Sequence, residues 1–176
     1  VDDGSSDRSS IICDEFAKKD NRVIVIHKEN EGLVSARKAG VNIAKGKYII
    51  NVDGDDWIEK DRFEHLVYRI CLFEADMIYL SGYLKETDGE CTVMDSPLEP
   101  KIYSKDEIRD ELFPLLQNTN KCFESIIKSS LCMWAIKREL LREKQNLVDN
   151  RISMCEDHIC IWFCLLAANS VSTMKE

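Results

Sequence analysis

The sequence predicts an α/β fold, a mostly parallel sheet flanked by helices. Three observations carry that expectation. Amphipathic helical stretches alternate with short β-branched apolar runs. Acidic turns containing glycine follow several of those runs. The 176 residues hold only 7 Gly and 3 Pro, too few for a disordered or collagen-like chain. With 44% hydrophobic and 32% charged residues the composition is globular, and the length fits one domain of roughly 100–200 residues.

Val1 reads as the last residue of a buried strand running straight into the turn Asp2-Asp3-Gly4-Ser5, so the chain is expected to begin inside a domain. Residues 7–19 form an amphipathic helix with Ile11, Ile12 and Phe16 on one face. Residues 23–26 are a β-branched strand and 28–32 a loop. A second helix over 33–44 ends at Gly46, placed as a C-terminal glycine cap, and 47–52 is the next buried strand. Right-handed crossovers in two such β-α-β units make the strands parallel. The loops after Val1, Ile26 and Val52 then gather at one sheet edge, where such folds bind ligands. Past Trp57 the pattern gives a helix over 60–73, a strand over 77–80, and a hairpin or excursion over 85–101 containing Pro97 and Pro100. Helices over 105–116, 138–143 and 157–168 follow, with a strand starting at Val171 and a chain expected to be truncated at both ends.

The formal charge of −8 argues against nucleic acid as a partner, because binding phosphates needs a basic face. The longest apolar run, over 159–168, is far shorter than the ~20 residues of a bilayer span, and no signal peptide opens the chain. A cytoplasmic compartment is expected. The eight cysteines (Cys13, Cys71, Cys91, Cys122, Cys132, Cys155, Cys160 and Cys164) sit mostly in apolar runs and read as reduced core residues. Cys155, His158, Cys160 and Cys164 have helical spacing but lack the close CxxC pairs of zinc knuckles, so they too read as packing.

Three acidic clusters carry the chemistry. In Asp2-Asp3-Gly4-Ser5-Ser6-Asp7, carboxylates at a strand's end suit a nucleobase imide or ribose hydroxyls; capping of the next helix explains Asp7 but not the Asp2-Asp3 pair. In Asp53-Gly54-Asp55-Asp56, three carboxylates within four residues repel one another unless a cation neutralises them. Hard oxygen ligands suit Mg²⁺ or Mn²⁺, whose open positions phosphates fill; a solvated turn is the alternative. Glu156-Asp157 heads a helix, where a carboxylate serves either as a cap or as a positioned base.

Taken in order, these segments resemble family 2 glycosyltransferases of the GT-A fold. The likeness rests on Val1-Asp2-Asp3-Gly4-Ser5-Ser6-Asp7, Asn30-Glu31-Gly32 with Ala36-Arg37 and Gly40, and Ala44-Lys45-Gly46-Lys47-Tyr48-Ile49. Val52-Asp53-Gly54-Asp55-Asp56-Trp57, the segment from Met133 to Leu140, and Glu156-Asp157 extend it over nearly the whole chain. The resemblance implies a Rossmann-like nucleotide-diphospho-sugar transferase fold, incomplete at the N-terminus. Residues 1–80 would form the nucleotide-sugar and metal-binding half and 81–176 the acceptor-side half of one catalytic domain.

The resemblance also implies roles. Asp3, with Asp2 beside it, contacts the base or ribose, and Arg37 lies near the nucleotide. Asp55 is the foremost ligand of a divalent Mn or Mg cation, Asp53 lies nearer the ribose or sugar, and Asp56 assists either. Asp157 is the general base of an inverting displacement, with Glu156 its neighbour. The donor is a nucleotide sugar, foremost a UDP-sugar, and the acceptor a saccharide or lipid-linked hydroxyl in cell-surface polysaccharide or glycan synthesis. A full-length parent could associate peripherally with the inner face of the membrane. Trp134 and Trp57 are each open to two readings, acceptor platform or core. A receiver-type signalling domain is disfavoured because three acids here follow a single strand; a non-catalytic sugar-nucleotide-binding relative is the other alternative.

Overall fold

The computed structural model describes residues 1–58, 61–80, 83–87, 90–94, 98–117 and 127–173; Pro97 and Cys122 lie outside them. A parallel bridge pairs Asp2 with His27: Asp2 N donates to Ile26 O (2.8 Å) and Lys28 N to Asp2 O (3.0 Å). The bridge falls at His27, one residue past the strand expected over 23–26, where no strand forms and Val23 and Ile24 are exposed. The crossover between Asp2 and His27 is α1 (Ser9–Lys19), which has the expected helical period without the expected burial. Ile11, Ile12 and Phe16 are 53%, 45% and 58% exposed, and no residue of α1 is buried. Periodicity locates a helix; it does not supply a surface to cover the stripe.

The next helix, α2 (Leu33–Ile43), buries Val34, Arg37 and Val41 at helical spacing. It ends at Ala44, whose N–H donates to Gly40 O, and not at a left-handed Gly46. Gly46 serves close approach instead, since a Cβ there would stand 3.0 Å from Tyr48 O. The chain continues through β1 (Tyr48–Ile50), α3 (Arg62–Phe73), β2 (Met77–Tyr79) and the expected hairpin, β3 (Tyr83–Thr87) with β4 (Glu90–Met94). Next comes β5 (Ile102–Ser104), whose last residue makes a capping box with Glu107. This starts α4 (Lys105–Glu107), a π-helical stretch over Ile108–Leu112 and α5 (Phe113–Gln117). A 3₁₀ turn (Leu131–Met133) then leads into β6 (Trp134–Lys137), α6 (Arg138–Leu147), α7 (Glu156–Ala167) and β7 (Ser170–Thr173).

The main sheet has the order β1-β6-β2-β7-β5. Three of its four pairings depart from a mostly parallel arrangement. β1, β2 and β7 share a direction, but β6 enters antiparallel between β1 and β2, and β5 is antiparallel to β7. Crossover helices fix the direction of strands they join, whereas β6 arrives after the hairpin excursion and is free to run the other way. Asp76 pins it: Lys137 N donates to Asp76 O at 2.9 Å, and Lys137 Nζ lies 2.8 Å from Asp76 Oδ1.

Alternation along the strands fills two layers. Met77, Tyr79, Trp134, Ile136 and Val171 join the larger cluster with Val34 of α2, Leu141 of α6 and Cys160, Ile161 and Leu165 of α7. Ile78 and Ala135 face the smaller cluster with Leu66 of α3. Each of these side chains is at most 3% exposed, which at ~25 cal/mol per Å² makes this burial the main driving force. Cys13, Cys71, Cys132, Cys155, Cys160 and Cys164 are free, and of these Cys160 and Cys164 are buried, Cys13, Cys132 and Cys155 half-buried and Cys71 exposed. Among the described residues no helix is long and apolar enough to cross a membrane.

Candidate active site

At the first acidic turn, both carboxylates face inward onto the neighbouring loop. Asp2 is 8% exposed; its Oδ1 accepts from Ser5 N (3.0 Å) and its Oδ2 lies 2.9 Å from His27 Nδ1. Ser5 first, then His27, holds its carboxyl well below the usual range. Asp3 takes Lys28 Nζ at 2.6 Å and Gly32 N at 2.8 Å, and Lys28 lowers its pKa. Gly4 has φ +75° and a Cβ there would meet Asn30 N at 2.9 Å, so only glycine lets the two loops abut. Asp7 accepts from Ser9 N (2.9 Å), serving α1 from one residue before its N-cap.

The second and third clusters meet through Arg37. Its side chain, 7% exposed on α2, donates from one terminal nitrogen to Glu156 Oε1 (2.5 Å) and from the other to Asp53 Oδ1 (3.1 Å). Burial alone would lower the guanidinium pKa, but Asp53 and Glu156 together raise it. Arg37 Nε and Asn51 Nδ2, the latter one residue past β1, are buried without a hydrogen-bond partner. Glu156, read from sequence only as a neighbour of the base, is thus the residue that joins the two regions. Its pairing with a residue of α2 left no local signal in the sequence.

Glu156 and Asp157 diverge because the chain turns sharply before them. Cys155, the N-cap of α7, has φ 60°, a left-handed conformation costing roughly 1–2 kcal/mol in a non-glycine residue. Glu156 then points inward, while Asp157, with its side chain 18% exposed, accepts from His158 N (2.8 Å) and lies 3.1 Å from His158 Nδ1. Asp157 therefore satisfies a first-turn amide and keeps a carboxylate at the surface.

Asp53, Asp56 and Cys132 form the one group among the described residues able to hold a metal ion, with ligand atoms within 4.8 Å of one another. Asp55, foremost in the sequence reading, is not in it. Cys132 was not foreseen. Burial pushes its thiol up, and the carboxylates of Asp56 and Asp53 push it further, while Ser130 Oγ at 2.8 Å opposes them. A thiol is a soft donor that hard cations disfavour, which leaves two carboxylate donors of the kind Mg²⁺ and Mn²⁺ take. The residues present fit such a cation.

Trp134 is fully buried, its Nε1 donating to Lys128 O (3.0 Å) and its ring centroid 4.8 Å from that of Tyr79. It is core and not an acceptor platform. Trp57, directly after the acidic loop, is 59% exposed.

The profile of glycosyl transferase family 2 matches residues 1–143. Glycosyltransferase GlyA of Streptococcus pneumoniae serotype 4 is 37% identical over 116 residues, which cover 64% of this chain and 17% of that protein. The uncharacterized glycosyltransferase EpsJ of Bacillus subtilis is 32% identical over 158 residues, covering 89% of this chain and 44% of that one. The chain thus spans less than half the length of either relative. The crystal structure of S. aureus TarS 1–349 in complex with UDP superposes with a TM-score of 0.73 at 20% identity, covering 99% of this chain and 47% of that chain. That likeness bears on the fold: the sheet flanked by helices is that of GT-A glycosyltransferases.

Proposed function

The chain belongs to glycosyl transferase family 2, and from that premise we propose that it transfers a sugar from a nucleoside-diphosphate donor to an acceptor hydroxyl with inversion. The observation that carries the reading is the Arg37 bridge. It draws the acidic loop after β1 and the head of α7 to one place, as a donor site beside a base requires. The donor is foremost a UDP-sugar, a reading supported by the TarS structure with UDP. The acceptor is a saccharide or lipid-linked hydroxyl, in cell-surface polysaccharide or glycan synthesis. The compartment is cytoplasmic, with peripheral attachment at the inner face of the membrane open to the protein.

In this reading, residues 1–80 provide the donor half and 81–176 the acceptor half. Asp3, with Asp2 anchoring the turn, faces the base or ribose, and Arg37 lies by the diphosphate. Asp53 and Asp56, with Asp55 alongside, hold a divalent cation; when bound, it supplies charge stabilisation for the departing diphosphate. Asp157 takes the proton from the acceptor hydroxyl as that oxygen attacks the anomeric carbon. The bond from that carbon to the diphosphate oxygen breaks on the opposite face. Arg37 offsets the charge that gathers on the leaving group.

A donor screen tests this. The protein is incubated with UDP-, GDP- and TDP-sugars, with Mn²⁺ or EDTA, and release of the nucleoside diphosphate is followed. Turnover confined to one nucleotide class and dependent on Mn²⁺ is expected. A folded protein that turns over and binds none of them is not a transferase of this kind.

A further inference from the structure

We propose that Glu156 is a positioning residue that acts through Arg37, setting both the charge at Asp53 and the direction of Asp157. The inference rests on the transferase reading and extends it to a residue that need not touch donor or acceptor. Three observations carry it. Arg37 and Glu156 have side chains 7% and 8% exposed. A buried ion pair is a poor source of net stability, since desolvating both charges consumes most of their attraction, so its presence calls for another reason. The second arm of the same guanidinium rests on Asp53, which belongs to the group able to hold a cation. Finally, successive residues on a helix project about 100° apart, so fixing Glu156 inward fixes where Asp157 projects. The left-handed Cys155 is the turn that allows this orientation.

The electrostatic consequence is specific. With Glu156 ionised, the guanidinium charge is shared between two carboxylates, and Asp53 remains available to a cation. Without that charge, Arg37 presents an undivided positive charge to Asp53 and opposes a divalent ion there. A merely structural pair would alter stability and leave metal affinity alone.

Mn²⁺ binding, followed by loss of the free-ion electron paramagnetic resonance signal, distinguishes these. Glu156→Gln keeps the shape and a hydrogen-bond acceptor. It is expected to bind Mn²⁺ at least about tenfold more weakly than wild type, because an unshared cationic charge now faces the site. The same substitution in an Arg37→Gln background should change Mn²⁺ affinity by less than about twofold, since the mediator is gone. Transfer by Glu156→Gln should fall in kcat as well as in metal affinity. If wild type binds Mn²⁺ and Glu156→Gln binds it equally well, the positioning role is wrong while the transferase reading stands. If wild type binds neither Mn²⁺ nor UDP, both are wrong. Should Glu156→Gln fail to fold, Glu156→Met removes the same charge with a side chain of similar length, and unchanged Mn²⁺ affinity in that variant overturns the proposal equally.

Discussion

His27 Nδ1 lies 2.9 Å from Asp2 Oδ2, and on the other side of the ring His27 Nε2 lies 3.0 Å from Asp14 Oδ1 on α1. The imidazole is therefore the tie between a helix that buries none of its residues and the turn bearing Asp2 and Asp3.

This tie makes the attachment of α1 dependent on pH. Asp2 first and Asp14 next raise His27 above its ordinary 6.5, while Asp2 itself is held below its ordinary 3.8. A raised histidine contributes stability that is complete below 6.5 and fades as pH rises through the raised value. The lowered Asp2 contributes above 3.8 and fades as pH falls through its depressed value. The tie is strongest between those limits. Melting curves of wild type and His27→Gln should differ most between pH 3.8 and 6.5 and converge as pH rises through the raised His27 value, as linkage requires. A difference independent of pH would mean that the ring acts by packing.

Asp157→Asn retains an acceptor for His158 N, so α7 should keep its start and the protein its melting temperature. Transfer should nonetheless fall by roughly 10²–10⁴-fold, the usual share of a general base, with UDP affinity unchanged. Near-normal turnover would place the base elsewhere.

The acidic loop offers a ranking. Asp56 belongs with Asp53 to the group of converging ligand atoms, and Asp55 does not. Asp56→Asn should therefore weaken Mn²⁺ binding by more than the roughly 10–100-fold of an outer-shell change, and Asp55→Asn by less. Calorimetric titration of each variant settles the order, and the reverse ranking would restore Asp55 as the leading ligand.

Trp134 makes a stability prediction where a sugar platform would make a catalytic one. It is 0% exposed, and Trp134→Ala should destabilise the protein by about 3–5 kcal/mol in urea unfolding. In Trp134→Phe, which keeps an aromatic ring against Tyr79 but loses the bond to Lys128 O, the KM for acceptor should be unaffected.

What the sequence made legible was local. The helix ending near Phe73, the strand at Met77 and the helix heading at Glu156 follow from periodicity and apolar runs, because each is decided by residues close in the chain. The failures are all questions about partners. Ile11, Ile12 and Phe16 have the right spacing for a core face and remain exposed, and between the two readings open for Trp134 only its buried surroundings decide. At the site, Asp53 and Asp157 stand out as acids beside structured elements. Cys132, Glu156 and His27 gain their meaning from residues far away in sequence, and no local pattern encodes such contacts. The antiparallel direction of β6 belongs to the same class.

That strand also bears on the order in which the molecule can be assembled. Ile49 of β1 and Ile78 of β2 are made early, yet neither edge meets its neighbour until Ile136 and Ala135 are synthesised. Closure between such distant segments costs loop entropy before any contact repays it, so the sheet should form late and slowly. A nascent chain halted between Tyr79 and Trp134 carries β1 and both sides of β2 as open strand edges beside apolar side chains. That interval of translation is where this protein should depend most on protection from edge-to-edge aggregation.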